Sequence, residues 1–256
     1  MTADADASGV DRAPAGAGDA PSGAKLAVRI VLATRAFKLD VAFEVPPGVT
    51  VLFGPSGSGK SRTLGCIAGI VRPDQGIITL GGDAWFDGAG GLELPIHKRR
   101  VAYVFQSLAL FPHMTAEDNV AYGVARSMPA EERRAHAHDM LGKMRVGHLA
   151  ARRPHTFSGG EAQRVALARA FAMKPRALLL DEPFSALDAS VKRELLVEVG
   201  EWLERERIPA ILVTHDAEEA GILGQHVVLL EKGRVVREAA IDDPTLSLPK
   251  IRAAAK

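Results

Sequence analysis

The chain has 256 residues, of which 47% are hydrophobic and 25% are charged, values that are ordinary for a globular protein. Its 32 basic and 31 acidic residues give a net charge of +1, so the overall field gives no reason to expect a nucleic-acid partner. One cysteine excludes an internal disulfide and suits a reducing compartment, and no apolar run reaches the roughly 18 residues that a membrane helix needs.

The N-terminal residues differ in composition from the segment that follows them. Residues 1–24 are rich in Ala, Gly, Asp and Pro and poor in large apolar groups, so they cannot repay their ordering entropy and predict a disordered tail. They also lack the charged and then apolar order of a signal peptide, and we expect a cytosolic protein. From Leu26 onward, the runs LAVRIVL, FKLDVAFEV and VTVLF predict three strands, the last of which leads into a glycine-rich loop.

The segment after the glycine-rich loop, SRTLGCIAGIV, predicts a helix. Its apolar residues Leu64, Ile67, Ala68 and Val71 fall on one helical face, although the two glycines weaken the helix. The single cysteine, Cys66, is expected to be a small buried residue in this helix. The runs IITL (77–80) and VAYVF (101–105) predict further strands.

The middle of the chain, residues 115–153, predicts an all-helical insertion. TAED (115–118) has the form of a capping box, Pro129 suits a first helical turn, and EERRAHAHDMLGKM has helical character. The basic pairs at 99–100, 133–134 and 152–153 are scattered and have no aromatic residues among them, so they are predicted to lie on solvated faces or at partner contacts.

Alternating strands and helices return after this insertion. The run ALLLD (177–181) predicts a strand, residues 189–205 a helix, AILVTH (210–215) a strand, and VVLL and RVV two strands around the turn at 231–233. Strands separated by helical stretches imply a largely parallel sheet that is covered on both faces.

The glycine-rich loop has the spacing G-x-x-x-x-G-K-S and lies between a predicted strand and a predicted helix. Its glycines let backbone N–H groups turn toward phosphate oxygens, and the helix N-terminus adds a favourable dipole. The lysine neutralises phosphate charge and the final serine can ligate Mg²⁺. A chance glycine-rich turn is the alternative, which the strand-and-helix context disfavours. The loop consists of Gly54, Pro55, Ser56, Gly57, Ser58, Gly59, Lys60 and Ser61.

Polar residues follow three of the predicted strands, where ligands bind in such sheets. Asp181 is placed to hold a Mg²⁺ shell, while Glu182 points elsewhere and could orient or deprotonate a water molecule. The alternative for this acidic pair is a helix cap. Gln106 and His215 also end strands, and each taken alone is more often an ordinary loop residue.

The stretch FSGGE (157–161) precedes the apolar-periodic run VALARAFAM. Ser158 and Glu161 form a good capping box, which is the structural explanation. That explanation leaves the two successive glycines, Gly159 and Gly160, unaccounted for. Glycines leave the N–H groups of a helix start bare, so a phosphate can approach them closely.

These motifs together resemble, in order and spacing, the ATP-binding-cassette (ABC) proteins. The resemblance rests on GPSGSGKS, Gln106, FSGGE, ALLLDE, SALD (185–188) and His215, and it runs from about residue 26 to about 240. It implies a P-loop NTPase of the α/β class, with a mostly parallel sheet core, an antiparallel β-rich edge and an inserted helical subdomain. The implied ATPase domain spans residues 25–245, the helical subdomain about 107–170 within it, and a C-terminal tail 246–256.

The resemblance also implies roles in ATP binding and hydrolysis. Lys60 and the backbone of residues 57–60 would hold ATP, with Mg²⁺ on Ser61 and with Gln106 and Asp181 completing the metal shell. Glu182 would activate water, and His215 would fix the γ-phosphate.

The family pairs two subunits head to tail, and this implies a homodimer. Ser158, Gly159 and Gly160 of one subunit would close over the nucleotide that the other subunit's P-loop holds. Ser185 and Asp188 would lie in a loop that the family uses across the dimer interface.

Within the family, the chain looks like the ATP-binding subunit of a bacterial importer, and it is most similar to that of molybdate importers. Sulfate, polyamine, iron and sugar importers share much of the pattern. The resemblance implies integral membrane permease subunits as partners, a periplasmic solute-binding protein indirectly, no nucleic acid, and a position at the cytoplasmic face of the inner membrane. We expect residues 106–119 to contact the permease, because Phe111 and Met114 are apolar in a loop-like region. The alternative is that both side chains pack in the domain's own hydrophobic core.

Some positions depart from the family pattern. Arg62 replaces the usual second threonine after the P-loop lysine, and Glu161 replaces the commoner glutamine. Phe37 is the nearest candidate for stacking on adenine. The chain stops at Lys256 where many molybdate-type subunits continue into an oxyanion-binding regulatory domain, so regulation by that route is not expected.

Two rival classes fit the sequence less well. Soluble cassette ATPases of DNA repair or the ribosome carry long coiled-coil insertions or two cassettes per chain. A P-loop kinase or GTPase would leave FSGGE and SALD without a role.

Overall fold

One mixed β-sheet forms the backbone of the fold. The computed structural model describes residues 23–34, 37–185 and 187–246, so most of both predicted tails and Ala186 of the SALD stretch lie outside the described residues. Within the described residues the sheet has eleven strands in the order β6-β5-β4-β1-β2-β11-β10-β3-β9-β8-β7. The strands are β1 (Leu26–Ala33), β2 (Lys38–Val45), β3 (Gly48–Phe53), β4 (Gln75–Leu80), β5 (Asp83–Asp87), β6 (Leu92–Glu93), β7 (Val101–Val104), β8 (Ala177–Asp181), β9 (Pro209–Val213), β10 (His226–Glu231) and β11 (Arg234–Ala240).

The sheet has a parallel half and an antiparallel half. Strands β7, β8, β9, β3 and β10 pair in parallel, while β6, β5, β4, β1 and β2 pair antiparallel. The burial patterns explain the division: every residue of β8 and β9 is buried, as expected of strands covered on both faces, whereas β2 alternates strictly between exposed and buried residues. The predicted fold class, with its antiparallel edge, is confirmed.

Seven α-helices connect and cover the described strands. They are α1 (Lys60–Ala68), α2 (Ile96–Arg99), α3 (Ala116–Gly123), α4 (Ala130–Lys143), α5 (Gly159–Ala172), α6 (Ala189–Glu206) and α7 (Ala217–Leu223). Two short 3₁₀ turns, Gly147–Leu149 and Pro154–Thr156, lie between α4 and α5. None of the helices in the described part of the chain combines the length and the apolar character that a membrane span requires.

The core lies on both faces of the sheet. One cluster joins helices α3 to α6 to the parallel strands, and in it the rings of Phe171 and Trp202 stack with centroids 4.0 Å apart. The other cluster fills the space between the antiparallel strands and α1 and contains the buried Cys66, as predicted. The parallel strands that carry the predicted site residues are therefore held from both sides.

The predicted helical insertion is present, with one detail that differs. Helices α3, α4 and α5 pack against one another, and Thr115 begins α3 with a complete capping box to Asp118. Pro129 precedes α4 at its N-cap rather than lying in its first turn. The limits of the helical subdomain, residues 107–170, stay a prediction.

Two other predictions from sequence are wrong in detail. Val71 does not lie on the face of α1, because the helix ends at Ala68 and Gly69 adopts a left-handed conformation with φ of 85°. The basic pair 99–100 was predicted to be solvated or at a partner contact, but Arg99 is 1% exposed. Its guanidinium donates to the carbonyl oxygens of Cys66 and Ile67 at the end of α1, so it acts as an internal cap.

Candidate functional site

The predicted phosphate loop connects β3 to α1. Residues 54–59 form the turn, in which Gly57 and Gly59 have φ of 78° and 110°, a region that favours glycine. A Cβ atom on Gly59 would lie 2.8 Å from a methyl carbon of Leu39, so this position lacks room for a side chain. The loop ends where α1 begins, and the N–H groups of the first helical turn have no partners within the helix. This arrangement suits an anion.

Lys60 is the first residue of α1 and bends back over the loop. Its Nζ donates to the carbonyl oxygens of Gly54 at 2.8 Å and of Pro55 at 3.0 Å. Burial lowers the pKa of Lys60, and the carboxylates of Glu182 and Asp181 act against that shift by favouring the cation. The ammonium group is thus held at the loop, within electrostatic reach of the acidic pair. Ser61 and Arg62 follow on the exposed side of α1.

The acidic pair lies at the carboxyl end of β8. Asp181 is buried, and its Oδ2 accepts a hydrogen bond of 3.2 Å from the hydroxyl of Tyr103 on β7. Burial and the neighbouring carboxylate raise the pKa of Tyr103, so the phenol keeps its proton and remains a donor. Glu182 has a left-handed backbone with φ of 48°, which turns its side chain away from that of Asp181.

Gln106, Glu182 and His215 form a cluster. Nε2 of Gln106 donates to Oε2 of Glu182 at 3.1 Å, and Nδ1 of His215 lies 3.6 Å from Oε1 of the same carboxylate. The side chain of His215 is 76% exposed, so the cluster opens to solvent. A carboxylate held by an amide on one side and an imidazole on the other can orient water and accept its proton.

Strand order explains why residues so distant in sequence meet. Strands β7, β8 and β9 are parallel neighbours, and each of the three clustered residues lies one or two positions beyond the end of one of them. Strand β3 pairs with β9 on its other side, so the phosphate loop emerges from the same edge. Ligands bind at the carboxyl ends of the strands in sheets of this kind.

The FSGGE segment lies at the start of α5. The N–H of Ser158 donates to Oε2 of Glu161 at 2.7 Å, and the N–H of Glu161 donates to Oγ of Ser158 at 3.3 Å. The capping box predicted from sequence is therefore present, and Ser158 and Gly159 are exposed. No hydrogen bond between the described residues joins 158–160 to the phosphate loop of the same chain.

The remaining predicted residues lie around this site. The ring of Phe37 packs beside Gly59 and Gly233, which places it at the phosphate loop. Asp188 begins α6, and no side-chain capping bond joins it to the described residues there. Phe111 and Met114 are partly buried and neither belongs to the buried core. The ring of Phe111 instead lies 4.7 Å from that of Tyr122 and 5.4 Å from the guanidinium carbon of Arg169.

Sequence reasoning missed two groups. Tyr103 was assigned only to a strand, although a phenol among apolar strand residues could have suggested a polar partner at the strand end. Lys192, Asp216 and Glu219 form a partly buried ionic network beside His215. Neither the spacing nor the residue types distinguish these three from surface charges on helices.

Comparison with known proteins gives consistent matches. The family model described as ABC transporter matches residues 39–185. Molybdenum import ATP-binding protein ModC of Albidiferax ferrireducens is 45% identical over 214 residues, which is 82% of this chain and 57% of that protein. The ModC protein of Rhizobium meliloti is 45% identical over 82% of this chain and 59% of its own length. The chain thus spans somewhat more than half the length of these relatives.

Solved structures match over a larger share of their length. The structure described as "Dimeric Structure of MJ0796, a Bacterial ABC Transporter Cassette" has a TM-score of 0.72 and 28% identity, covering 84% of this chain and 98% of that one. A second structure of the same cassette, described as a dimeric post-hydrolysis state bound to ADP and Pi, has a TM-score of 0.70 at the same identity and coverage.

Proposed function

The chain belongs to the ABC transporter family, and on that premise we propose that it is the ATP-hydrolysing subunit of a bacterial importer, with molybdate as the solute. Two copies bind two ATP molecules between them and drive a membrane permease. The observation that carries the proposal is the cluster of Gln106, Glu182 and His215, which lies at the sheet edge from which the phosphate loop emerges.

ATP binding is assigned to the phosphate loop. The loop N–H groups and the N-terminus of α1 bind the phosphates, and Lys60 exchanges its bonds to two loop carbonyls for bonds to phosphate oxygens. Phe37, whose ring packs beside Gly59, is proposed to stack on the base. Arg62, on the exposed side of α1, is the candidate for a further contact to the nucleotide.

The residues present also fit Mg²⁺. The hydroxyl of Ser61, the amide oxygen of Gln106 and the carboxylate of Asp181 are oxygen donors of the kind that Mg²⁺ prefers. Asp181 is buried, and among the described residues its Oδ2 accepts a hydrogen bond from Tyr103 alone, so the carboxylate retains capacity for a metal ion. When bound, the ion neutralises charge on the terminal phosphates.

Glu182 acts as the general base for the attacking water. Its carboxylate is held between Gln106 and His215, which fix its orientation. The exposed imidazole of His215 donates to the γ-phosphate. Water attacks the γ-phosphorus and gives its proton to Glu182, the bond from that phosphorus to the bridging oxygen of the β-phosphate breaks, and ADP leaves while His215 holds the transferred phosphate.

The second half of the site comes from a second copy. The helix start at 158–160, in which Ser158 and Gly159 are exposed, has no hydrogen bond to the phosphate loop among the described residues. The N–H groups of Gly159 and Gly160 suit a phosphate. A head-to-tail pair brings this segment over the neighbour's ATP. The likeness to a cassette whose solved structures are described as dimeric supports this arrangement.

A groove between α3 and α4 is the proposed permease contact. It has a volume of about 680 Å³, and its lining includes Met114, the exposed Tyr122 and the arginines 126, 133 and 134, against one acidic residue, Asp118. Charge complementarity therefore favours an acidic segment of the permease with an apolar residue that packs on Tyr122. The groove includes part of residues 106–119, the segment expected to contact the permease, because Met114 lines it and the ring of Phe111 packs against that of Tyr122.

Molybdate is proposed because the relatives are named molybdenum import ATP-binding proteins. A permease contact places the chain at the cytoplasmic face of the membrane, and a periplasmic binding protein would act on the permease rather than on this chain.

Uptake of labelled molybdate and of labelled sulfate, measured in cells with and without this gene, tests the solute. We expect cells without the gene to lose molybdate uptake alone. Loss of sulfate uptake alone would show that the solute is sulfate and not molybdate.

Glu182→Gln tests the hydrolytic mechanism. Glutamine keeps the size of the side chain but cannot accept a proton, so kcat should fall about 10²- to 10⁴-fold. ATP should then hold the variant as a dimer in size-exclusion chromatography, while Glu201→Gln on the exposed face of α6 should behave like the parent chain. A Glu182→Gln chain that hydrolyses ATP at the parental rate, or stays monomeric in ATP, would refute the mechanism.

A further inference from the structure

A partly buried ionic network joins the loop that carries His215 to the first turn of α6. Nζ of Lys192 on α6 donates to Oδ2 of Asp216 and, at 3.1 Å, to Oε1 of Glu219 on α7. The side chains of Lys192 and Glu219 are only 14% and 4% exposed. One cation therefore serves two carboxylates in a setting where an unpaired charge is costly.

The same network holds both neighbours of His215. The hydroxyl of Thr214 donates to Oε2 of Glu219 at 2.5 Å and accepts the N–H of Asp216 at 3.0 Å. Oδ1 of Asp216 accepts the N–H of Glu218 at 2.7 Å and so caps α7. The residues before and after His215 are thus fixed, although its own side chain lies in solvent.

The surroundings favour the charged form of Asp216 and of Lys192, but not that of Glu219. The hydrogen bonds from Lys192 and from the start of α7 lower the pKa of Asp216 against the opposing effect of burial. The two carboxylates raise the pKa of Lys192 in the same way. Burial raises the pKa of Glu219, whose charge depends on the bonds from Thr214 and Lys192. Loss of Lys192 would therefore unbalance the whole network.

The backbone of Lys192 belongs to the first turn of α6. The N–H of Lys192 donates to the carbonyl oxygen of Asp188 at 2.9 Å, and Asp188 is the residue at which α6 begins. The network therefore anchors the start of α6 to the His215 loop. Polar networks that are fully bonded specify one geometry more than they add stability.

We propose that Lys192 is a positioning residue, which holds His215 beside Glu182 and links the His215 loop to the start of α6. The inference rests on the proposed function, because it assigns the network a part in ATP hydrolysis. Removal of the tie should leave ATP binding intact and let His215 move away from Glu182.

Lys192→Met removes the charge and keeps most of the side-chain length. We expect kcat for ATP to fall about tenfold or more while KM changes less than about twofold, since the phosphate loop is untouched. Lys192→Arg should restore kcat to about one third of the parental value or better. Arg193→Met is the matched control: Arg193 is the next residue on α6 and pairs with Glu218 of α7 at 3.2 Å, but it is exposed.

A double-mutant cycle with His215→Ala separates positioning from general damage. If Lys192 acts through His215, Lys192→Met should lower the residual kcat of His215→Ala by less than about twofold. A further loss of about tenfold in that background would overturn the proposal. So would a well-folded Lys192→Met chain whose kcat equals that of Arg193→Met.

Two further measurements keep the test decisive. If Lys192→Met does not fold, Thr214→Val offers a milder change, because it removes only one hydroxyl from the network. It should lower kcat about threefold at unchanged KM. A folded Thr214→Val chain with parental kcat would overturn the proposal. A parental chain without ATPase activity would refute the proposed function instead. In that case the His215 imidazole signals in NMR still decide: they should shift in Lys192→Met and not in Arg193→Met, and no shift overturns the positioning role.

Discussion

Replacement of the buried Arg99 by methionine should strongly destabilise the fold. The guanidinium donates three hydrogen bonds of 2.8 to 3.0 Å, to the carbonyl oxygens of Cys66, Ile67 and Leu94. It lies against Gly69, where an added Cβ would come within 2.8 Å of its central carbon. Burial lowers the pKa of Arg99, which reflects the desolvation of the cation.

The magnitude follows from two opposing effects. Three hydrogen bonds from a charged donor contribute about 1.5–3 kcal/mol each, and their loss leaves the carbonyl oxygens at the end of α1 without this partner. Removal of the cation also recovers its desolvation cost, which is several kcal/mol. We expect a net loss of about 3 kcal/mol, in line with the effect of breaking buried charged contacts. For a domain of this size, that loss lowers Tm by about 6–12 °C.

Denaturant unfolding of the parent, Arg99→Met and Arg72→Met chains measures this loss. Arg72 is a matched control, because its side chain is 68% exposed and pairs with Glu93 at 3.1 Å. Exposed pairs of this kind contribute about 0–1 kcal/mol, so Arg72→Met should remain close to the parent. An Arg99→Met chain that loses less than about 1 kcal/mol would show that the three carbonyl bonds do not outweigh the cost of burying the cation.

Three other predictions concern the dimer, the permease and the cysteine. Ser158→Phe should lower kcat at least about tenfold more than Ser158→Ala, because both variants lose the helix cap but only phenylalanine blocks a partner's nucleotide. Equal rates in the two variants would contradict the proposed dimer. Arg134→Glu should lower the amount of permease that co-purifies about tenfold. Lys143→Glu, on α4 but outside the groove, should not. Equal recovery of the permease with both variants would exclude the groove as the permease contact. Burial raises the pKa of the Cys66 thiol to about 12, so iodoacetamide at about pH 8 should label it only after unfolding, and rapid labelling of the folded chain would show that the thiol is accessible.

Local sequence predicted most of the strands and helices because their signals are local. Strand β2 alternates between exposed and buried residues, β8 is an unbroken apolar run, and Thr115 and Ser158 begin helices through bonds to residues three positions later. The short elements β5, β6 and α2 were not predicted. They are two to five residues long and depend on packing at the antiparallel edge rather than on a repeat of their own.

The sequence by itself determined the chemistry of the phosphate loop and the order of the motifs. Glycine spacing, a lysine and a hydroxyl within eight residues define a phosphate-binding turn without any distant contact. Only the tertiary structure decided which distant groups meet. Gln106 and Glu182 are 76 residues apart and form a hydrogen bond because β7 and β8 are parallel neighbours. In the sequence, Arg99 and Lys192 cannot be told from ordinary surface charges. Packing alone buries Arg99 and largely covers the side chain of Lys192, so both charges must find partners.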